Sequence, residues 1–157
     1  MQCRKTDMPG LEPPPGYYIR RLQQISVAIF MEETAAYGIT PVQFAVLSTV
    51  QHHPGLDQRT LARTIGLDTS TIAGVIDRLE RRGLLQRNAS AADRRVRLLT
   101  LTNEGETLLG TVIPAMLKAQ ERILKPLPAG ERDQFMRMLK VLVEANNGLS
   151  RAPEELP

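Results

Sequence analysis

Between residues 78 and 97, Arg78, Arg81, Arg82, Arg87, Arg94, Arg95 and Arg97 are opposed only by Glu80 and Asp93, a local charge of +5 in a chain whose total is +3. Guanidinium groups at that density suit a polyanion, because each stays charged at physiological pH and bonds phosphate in a bidentate fork. Just upstream, Asp68 is followed by Thr69, Ser70 and Thr71. Short hydroxyl side chains at a helix start, beside backbone N–H groups with no partner in the helix, attract phosphate and reach base edges in a major groove. Asp68 itself reads as a cap, since a carboxylate facing phosphate would repel it. Catalysis has far less material. The chain holds no P-loop, no G-x-S-x-G and no G-x-G-x-x-G, and neither His52 nor His53 has a nucleophile in local context, so no enzyme, catalytic residue or cofactor is expected. Nor is a metal site expected. The two histidines are adjacent on a helix and point about 100° apart, and Cys3 is the only cysteine.

The elements that must position these groups follow from the pattern around them. In the stretch Leu61 to Val75, Ala62 fits the small contact where two helices cross, and Gly66 the turn that needs positive φ. Leu61, Ile65, Leu67, Ile72 and Val75 then fall on the inward faces of a helix-turn-helix. The first helix runs from about Gln58 to Thr64 behind Asp57, the second from Thr69 to about Arg82 behind Asp68, closed by Gly83. After Gly83 the periodicity changes to two short β-type runs, 84–87 and 96–101, joined by the polar loop Asn88 to Arg95. That loop has small residues on one limb and Arg94 and Arg95 on the other. A slender cationic hairpin of this kind fits a minor groove, where an inserted arginine reads groove width. Asp93 is expected to bond Arg95 or Arg97 and stiffen the tip. Asp77 and Arg81 are spaced as an i,i+4 surface pair, and Arg78 is the better contact candidate.

Around this head the chain reads as helical. An arm over 1–16, rich in proline, precedes a helix beginning near Tyr17 and lasting to about Tyr37, before Gly38. Thr40 caps and Pro41 opens a second helix that ends by His53, where Pro54-Gly55 stops it. A long helix starts at Thr102 and Asn103 and is expected to kink at Pro114. A last one carries Phe135, Met138, Leu139, Leu142 and Val143 before Asn146-Asn147-Gly148, and 148–157 form a tail. At 157 residues and 42% hydrophobic composition the chain suits one folded domain, and a large multidomain enzyme is excluded. No apolar run is long enough to span a membrane and the opening residues lack a signal-peptide core, so the expected location is the cytoplasm.

The stretch from Thr40 to Thr102, with QFAVLSTV, DQRTLARTIGLDTSTIAGVIDRLERRGLL and above all DRRVRLLTLT, resembles the multiple-antibiotic-resistance regulator (MarR) family. The likeness spans about residues 17 to 147. It implies a mainly α winged helix-turn-helix over 40–102, with a small β-hairpin wing and dimerisation helices at 17–38 and 103–147. It also implies a homodimer that binds a pseudo-palindromic operator in double-stranded DNA and lets go when an aromatic acid or phenol fills a cleft. By this likeness Arg95 is the wing-tip arginine and Thr69 to Thr71 open the recognition helix. The expected DNA contacts are thus Thr69, Ser70, Thr71, Arg78, Arg94, Arg95 and Arg97.

The dimer is also expected without the family, the runner-up being a monomer in which all three flanking helices pack intramolecularly. The winged core is too small to cover three flanking apolar stripes, and a twofold pair would place two recognition helices roughly 34–36 Å apart. For an effector, Tyr17, Tyr18, Arg20 and Arg21 on the first helix, with His52 and His53 on the second, carry suitable groups, because an arginine fork clamps a carboxylate and tyrosine or histidine orients a ring. The bland reading is that Tyr18 is core, the arginines surface and the histidines helix-end residues. A redox sensor using Cys3, and a DNA binder with no ligand, are the alternatives.

Overall fold

The computed structural model describes residues 12–150 and 152–153; most of the proline-rich arm, with Cys3, lies outside them. Helix α1 (Pro15–Glu33) opens two residues before the expected Tyr17. Pro15 stands at the first helical position, where the missing N–H has no partner to lose and the ring presets φ. The helix also stops short of Tyr37. Thr34, buried, donates its hydroxyl to the Phe30 carbonyl at 2.8 Å, with the Ile39 carbonyl at 3.3 Å beside it, and Ala35–Tyr37 form a single 3₁₀ turn. Gly38 then reverses the chain at φ +58°, a conformation that side chains resist.

Helix α2 (Pro41–His52) starts on the expected Thr40 with a reciprocal cap: Gln43 N–H donates to Thr40 Oγ1 at 3.2 Å, and Thr40 N–H to Gln43 Oε1 at 3.1 Å. A two-residue strand β1 (Leu56–Asp57), which no sequence signal announced, leads into α3 (Gln58–Thr64) and α4 (Thr69–Arg81). Gly66 turns between these helices at φ +68°. Leu61, Ile72 and Val75 are buried as expected, and Ile65 and Leu67 are half-buried against the core; Ala62 is the buried small contact. Strands β2 (Leu85–Ala89) and β3 (Arg97–Leu101) pair antiparallel from Leu85↔Leu101 to Ala89↔Arg97. The sheet order is β1-β3-β2, so β3 is central and the hairpin is one strand wider than the sequence suggested. Its core residue Leu99 packs in the same cluster as Leu47, Leu61, Ile76 and Leu79, each removal of such a side chain from water contributing about 1.5–3 kcal/mol.

Helix α5 (Asn103–Leu124) is capped by Thr102, whose Oγ1 accepts from Gly105 N–H at 3.0 Å and donates to Gly83 O at 2.6 Å. It runs as one helix through Pro114. Along it lies α1, joined by an ion cluster: Glu33 meets Lys118 at 2.8 Å and Arg122 at 2.5 Å, and Arg122 also reaches Glu32 at 3.0 Å. The Lys118 hydrogen bond, followed by that of Arg122, holds the Glu33 carboxyl below its usual range. Helix α6 (Ala129–Asn146) contains no buried residue. Met136, Met138, Val141, Leu142 and Val143 are 49–63% exposed, and in α1 only Phe30 is buried while Tyr17, Tyr18, Ile19 and Ile25 are open. No helix among the described residues is long and apolar enough to cross a membrane.

Gly105 is where the wing enters α5. A Cβ built there would stand 2.0 Å from the Leu84 carbonyl oxygen, which accepts the Thr102 N–H. Both neighbours are backbone and cannot step aside. Gly105→Ala is therefore expected to destabilise by about 2–4 kcal/mol, read as a fall of at least about 5 °C in the melting midpoint. An unchanged midpoint would mean that the wing-to-helix junction is loosely packed.

Candidate nucleic-acid interface

The first turn of α4 is organised by Asp68. Its carboxylate accepts from Thr71 N–H and the Ser70 hydroxyl, both at 2.8 Å, and from the Thr71 hydroxyl at 2.6 Å. These bonds, the Thr71 hydroxyl foremost, then the Thr71 amide and the Ser70 hydroxyl, push the Asp68 carboxyl far below the ordinary carboxylate range. Asp68 is thus the expected cap, and it also engages two of the three hydroxyls expected to meet DNA. Thr69, Ser70 and Thr71 are all exposed. Two turns on, Arg78 is exposed and lies back over Gly74, where a Cβ would come within 3.7 Å of its Nη2.

The hairpin tip closes with Ser90 N–H on Val96 O and Val96 N–H on Asp93 O, both at 3.0 Å. Asp93 bonds the tip through the backbone rather than through the expected guanidinium: its Oδ1 accepts the Arg95 N–H at 2.9 Å, and no guanidinium among the described residues bonds it. A short turn needs its amides satisfied before a long side chain can fold back onto it. The side chains of Arg94, Arg95 and Arg97 are consequently exposed, with no ion-pair partner among the described residues.

Two arginines that the sequence reading counted in the polyanion-facing block instead hold this head together. Arg87, on β2, pairs with Asp77 and, at 3.2 Å, with Glu80, both on α4; its backbone N–H also donates to Glu80 Oε1 at 3.3 Å. The Asp77 carboxyl is lowered chiefly by its hydrogen bond from Arg87. The expected Asp77–Arg81 ion pair is replaced by a bond from Arg81 Nε to the Asp77 carbonyl at 3.2 Å, because the carboxylate is already taken. Arg82, at the end of α4, donates to the carbonyls of Gly38 at 2.7 Å and Tyr37 at 3.2 Å, tying α4 to the turn between α1 and α2.

The six effector candidates form two separate groups. Tyr17 and Tyr18 meet edge to face at 5.4 Å, and the Arg20 guanidinium sits 5.6 Å from the Tyr17 ring centre. Arg21 donates to Gln24 Oε1 at 3.0 Å. His52 lies at the end of α2 with Nδ1 2.7 Å from Ser48 O; a carbonyl only accepts, so Nδ1 carries the proton. His53 is the exposed C-cap. Tyr18 is exposed rather than core. Among the described residues no bond or ring contact joins the two groups, and a cavity of about 460 Å³ lies elsewhere, lined by Ile65, Gly66, Val143, Asn146, Leu149 and Ala152.

This architecture of a helix-turn-helix, a cationic hairpin and outlying helices has counterparts of known role. The chain is 30% identical over 131 residues to the transcriptional repressor NicR of Pseudomonas putida, covering 83% of each chain. It superposes on the repressor CouR bound to a 23-mer DNA duplex with a TM-score of 0.81, at 30% identity over 89% of this chain and 99% of that one. It also matches BpsR of Bordetella bronchiseptica, whose DNA binding is regulated by 6-hydroxynicotinic acid, with a TM-score of 0.78, at 29% identity over 82% and 92% of the two chains. Residues 39–96 match the sequence pattern of the MarR family itself, and with relatives of this length and likeness the chain belongs to the MarR family of winged-helix transcriptional regulators.

Proposed function

We propose that this protein is a cytoplasmic homodimeric repressor that grips a pseudo-palindromic operator through α4 and the β2–β3 wing, and releases it when a small aromatic acid or phenol binds. The observation that carries the reading is the pairing of a fixed frame with free cations. Arg87 binds the hairpin to α4, while Arg94, Arg95 and Arg97 at its tip keep their guanidinium groups for an outside anion. The whole chain works as one MarR-type unit, its head over 40–102 and its dimerising helices on either side. CouR's complex with DNA supports the docking, and the control of BpsR by an aromatic acid supports the effector class.

The dimer rests on helices α1 and α6, whose apolar residues this protomer leaves open. An 18-residue helix with nothing buried does not hold its place by its own propensity. A second copy covering it removes that surface from water. Light scattering on the eluted protein is expected to give twice 17.5 kDa, and Leu142→Asp to give the single-chain mass at micromolar concentration. A wild-type monomer would overturn the dimer.

For the wing, a duplex enriched from a random pool serves as probe. Arg95→Ala should weaken its binding about tenfold and reduce the slope of log affinity against log salt by about one, with the preferred sequence unchanged. No change in either would remove the wing tip from the mechanism. For the effector, hydroxylated aromatic acids added to the wild-type complex should release the DNA. Arg20→Ala and Arg21→Ala should leave affinity for the duplex intact and shift the releasing concentration upward by about tenfold in at least one variant. Unchanged release in both would take the first helix out of the effector site.

A further inference from the structure

The proton of a hydroxyl can be given once. Ser70 and Thr71 each donate theirs to Asp68, at 2.8 Å and 2.6 Å, and an ionised carboxylate can only accept. What Ser70 Oγ and Thr71 Oγ1 turn toward solvent is therefore lone pairs. Phosphate oxygens carry lone pairs too, so these two hydroxyls cannot bond the DNA backbone. The donors that a major groove offers to such acceptors are the exocyclic amino groups, N6 of adenine and N4 of cytosine.

We infer that Ser70 and Thr71 are specificity-determining acceptors that select an adenine or cytosine amino group in each half-site. The assignment rests on the proposed docking of α4 in a major groove, supported by the likeness to DNA-bound CouR, and adds to it what that helix reads. Asp68 pushes in the same direction. Its negative charge disfavours a phosphate near the helix start, and its bonds to Thr71 and Ser70 keep it ionised at neutral pH. Eight residues on, Arg78 supplies the opposite polarity. At 1.5 Å per residue its Cα is roughly 12 Å from that of Ser70, about three base-pair steps, so one helix presents acceptors at its start and donors for guanine farther along.

The test uses the full chain and the duplex enriched from a random pool, with single adenines replaced by purine and single cytosines by 2-pyrimidinone, which removes only the amino group. One such position per half-site should weaken wild-type binding roughly tenfold. The variant Ser70→Ala/Thr71→Val should bind the natural and substituted duplexes equally, with the wild-type salt slope. Both replacements retain the Thr71 N–H, so Asp68 still caps α4. Asp68→Asn, whose amide donates to one hydroxyl and frees that hydroxyl's proton, should admit guanine or thymine at the same position. The inference is overturned if no amino group matters, or if Ser70→Ala/Thr71→Val weakens every duplex alike with a shallower salt slope, the mark of lost phosphate contacts. If the pool yields no enriched duplex, the DNA-binding reading itself fails, and this one with it.

Discussion

A guanidinium between two carboxylates joins the two parts of the molecule that must act together. Arg87 belongs to the hairpin, Asp77 and Glu80 to α4, and their three-residue spacing puts both acids on one helical face. Only a quarter of the Arg87 side chain is exposed, and its Nε is buried with no hydrogen-bond partner. Such a group stays in place because its charge is matched. Losing both acids would leave a largely desolvated cation unpaired, whereas losing one leaves it paired with the other. The outer, solvent-facing side of Asp77 makes its share of the attraction subject to salt screening, whereas the inner geometry is set by packing. The hairpin and α4 also share the core through Leu99, Ile76 and Leu79, so the ion cluster adds an oriented charge contact to a packed joint.

The head is tied to the rest of the chain by a second arginine of the same run. Arg82 grips the carbonyls of Tyr37 and Gly38 at the turn leaving α1, so the end of α4 and the end of α1 share one hydrogen-bonded corner. From there Glu32 and Glu33 reach across to Lys118 and Arg122 on α5. Core packing, corner and ion cluster form a contiguous path from α1 and α5 to α4. The arginine-rich block therefore divides by use. Arg81, Arg82 and Arg87 bond within the protein, and Arg78, Arg94, Arg95 and Arg97 are exposed with no ion-pair partner among the described residues.

That division marks the limit of what the amino-acid pattern revealed. The helix-turn-helix was legible because its determinants are local: Ala62 at the crossing, Gly66 at positive φ, Asp57, Asp68 and Thr102 as caps. Strand β1 was not, because two residues carry no alternation and exist as strand only by pairing with Leu98 and Leu99. Asp77 went to Arg81 in the sequence reading by the i,i+4 rule, which cannot weigh a competitor ten residues away that arrives by way of a strand. Tyr18 was weighed as core on helical spacing, but spacing says only which face is apolar, and at Tyr18 and Ile25 that face of α1 is exposed among the described residues. The effector candidates stay apart for the same reason: Tyr17 to Arg21 and His52-His53 were joined by chemical type, and chemical type does not bring helix ends together.

On the proposed reading, affinity and discrimination come from opposite charges in this head. Cations at the wing tip attract any duplex and release counterions, which yields binding without sequence preference. The start of α4 is acceptor-rich and anionic, so it gains nothing from the backbone and rejects a helix placed out of register. A twofold pair doubles both terms and adds a distance: two such heads fit B-form DNA only near one helical repeat apart. Release then needs little energy. An effector that favours a slightly different spacing by 1–3 kcal/mol, about the usual coupling between two sites, lowers operator affinity about 5–150-fold. The nonspecific attraction of the wing arginines survives that shift, because phosphate is present at every register. On the proposed reading the released dimer would remain near DNA while losing its operator, as a consequence of cations on the hairpin and acceptors on the helix.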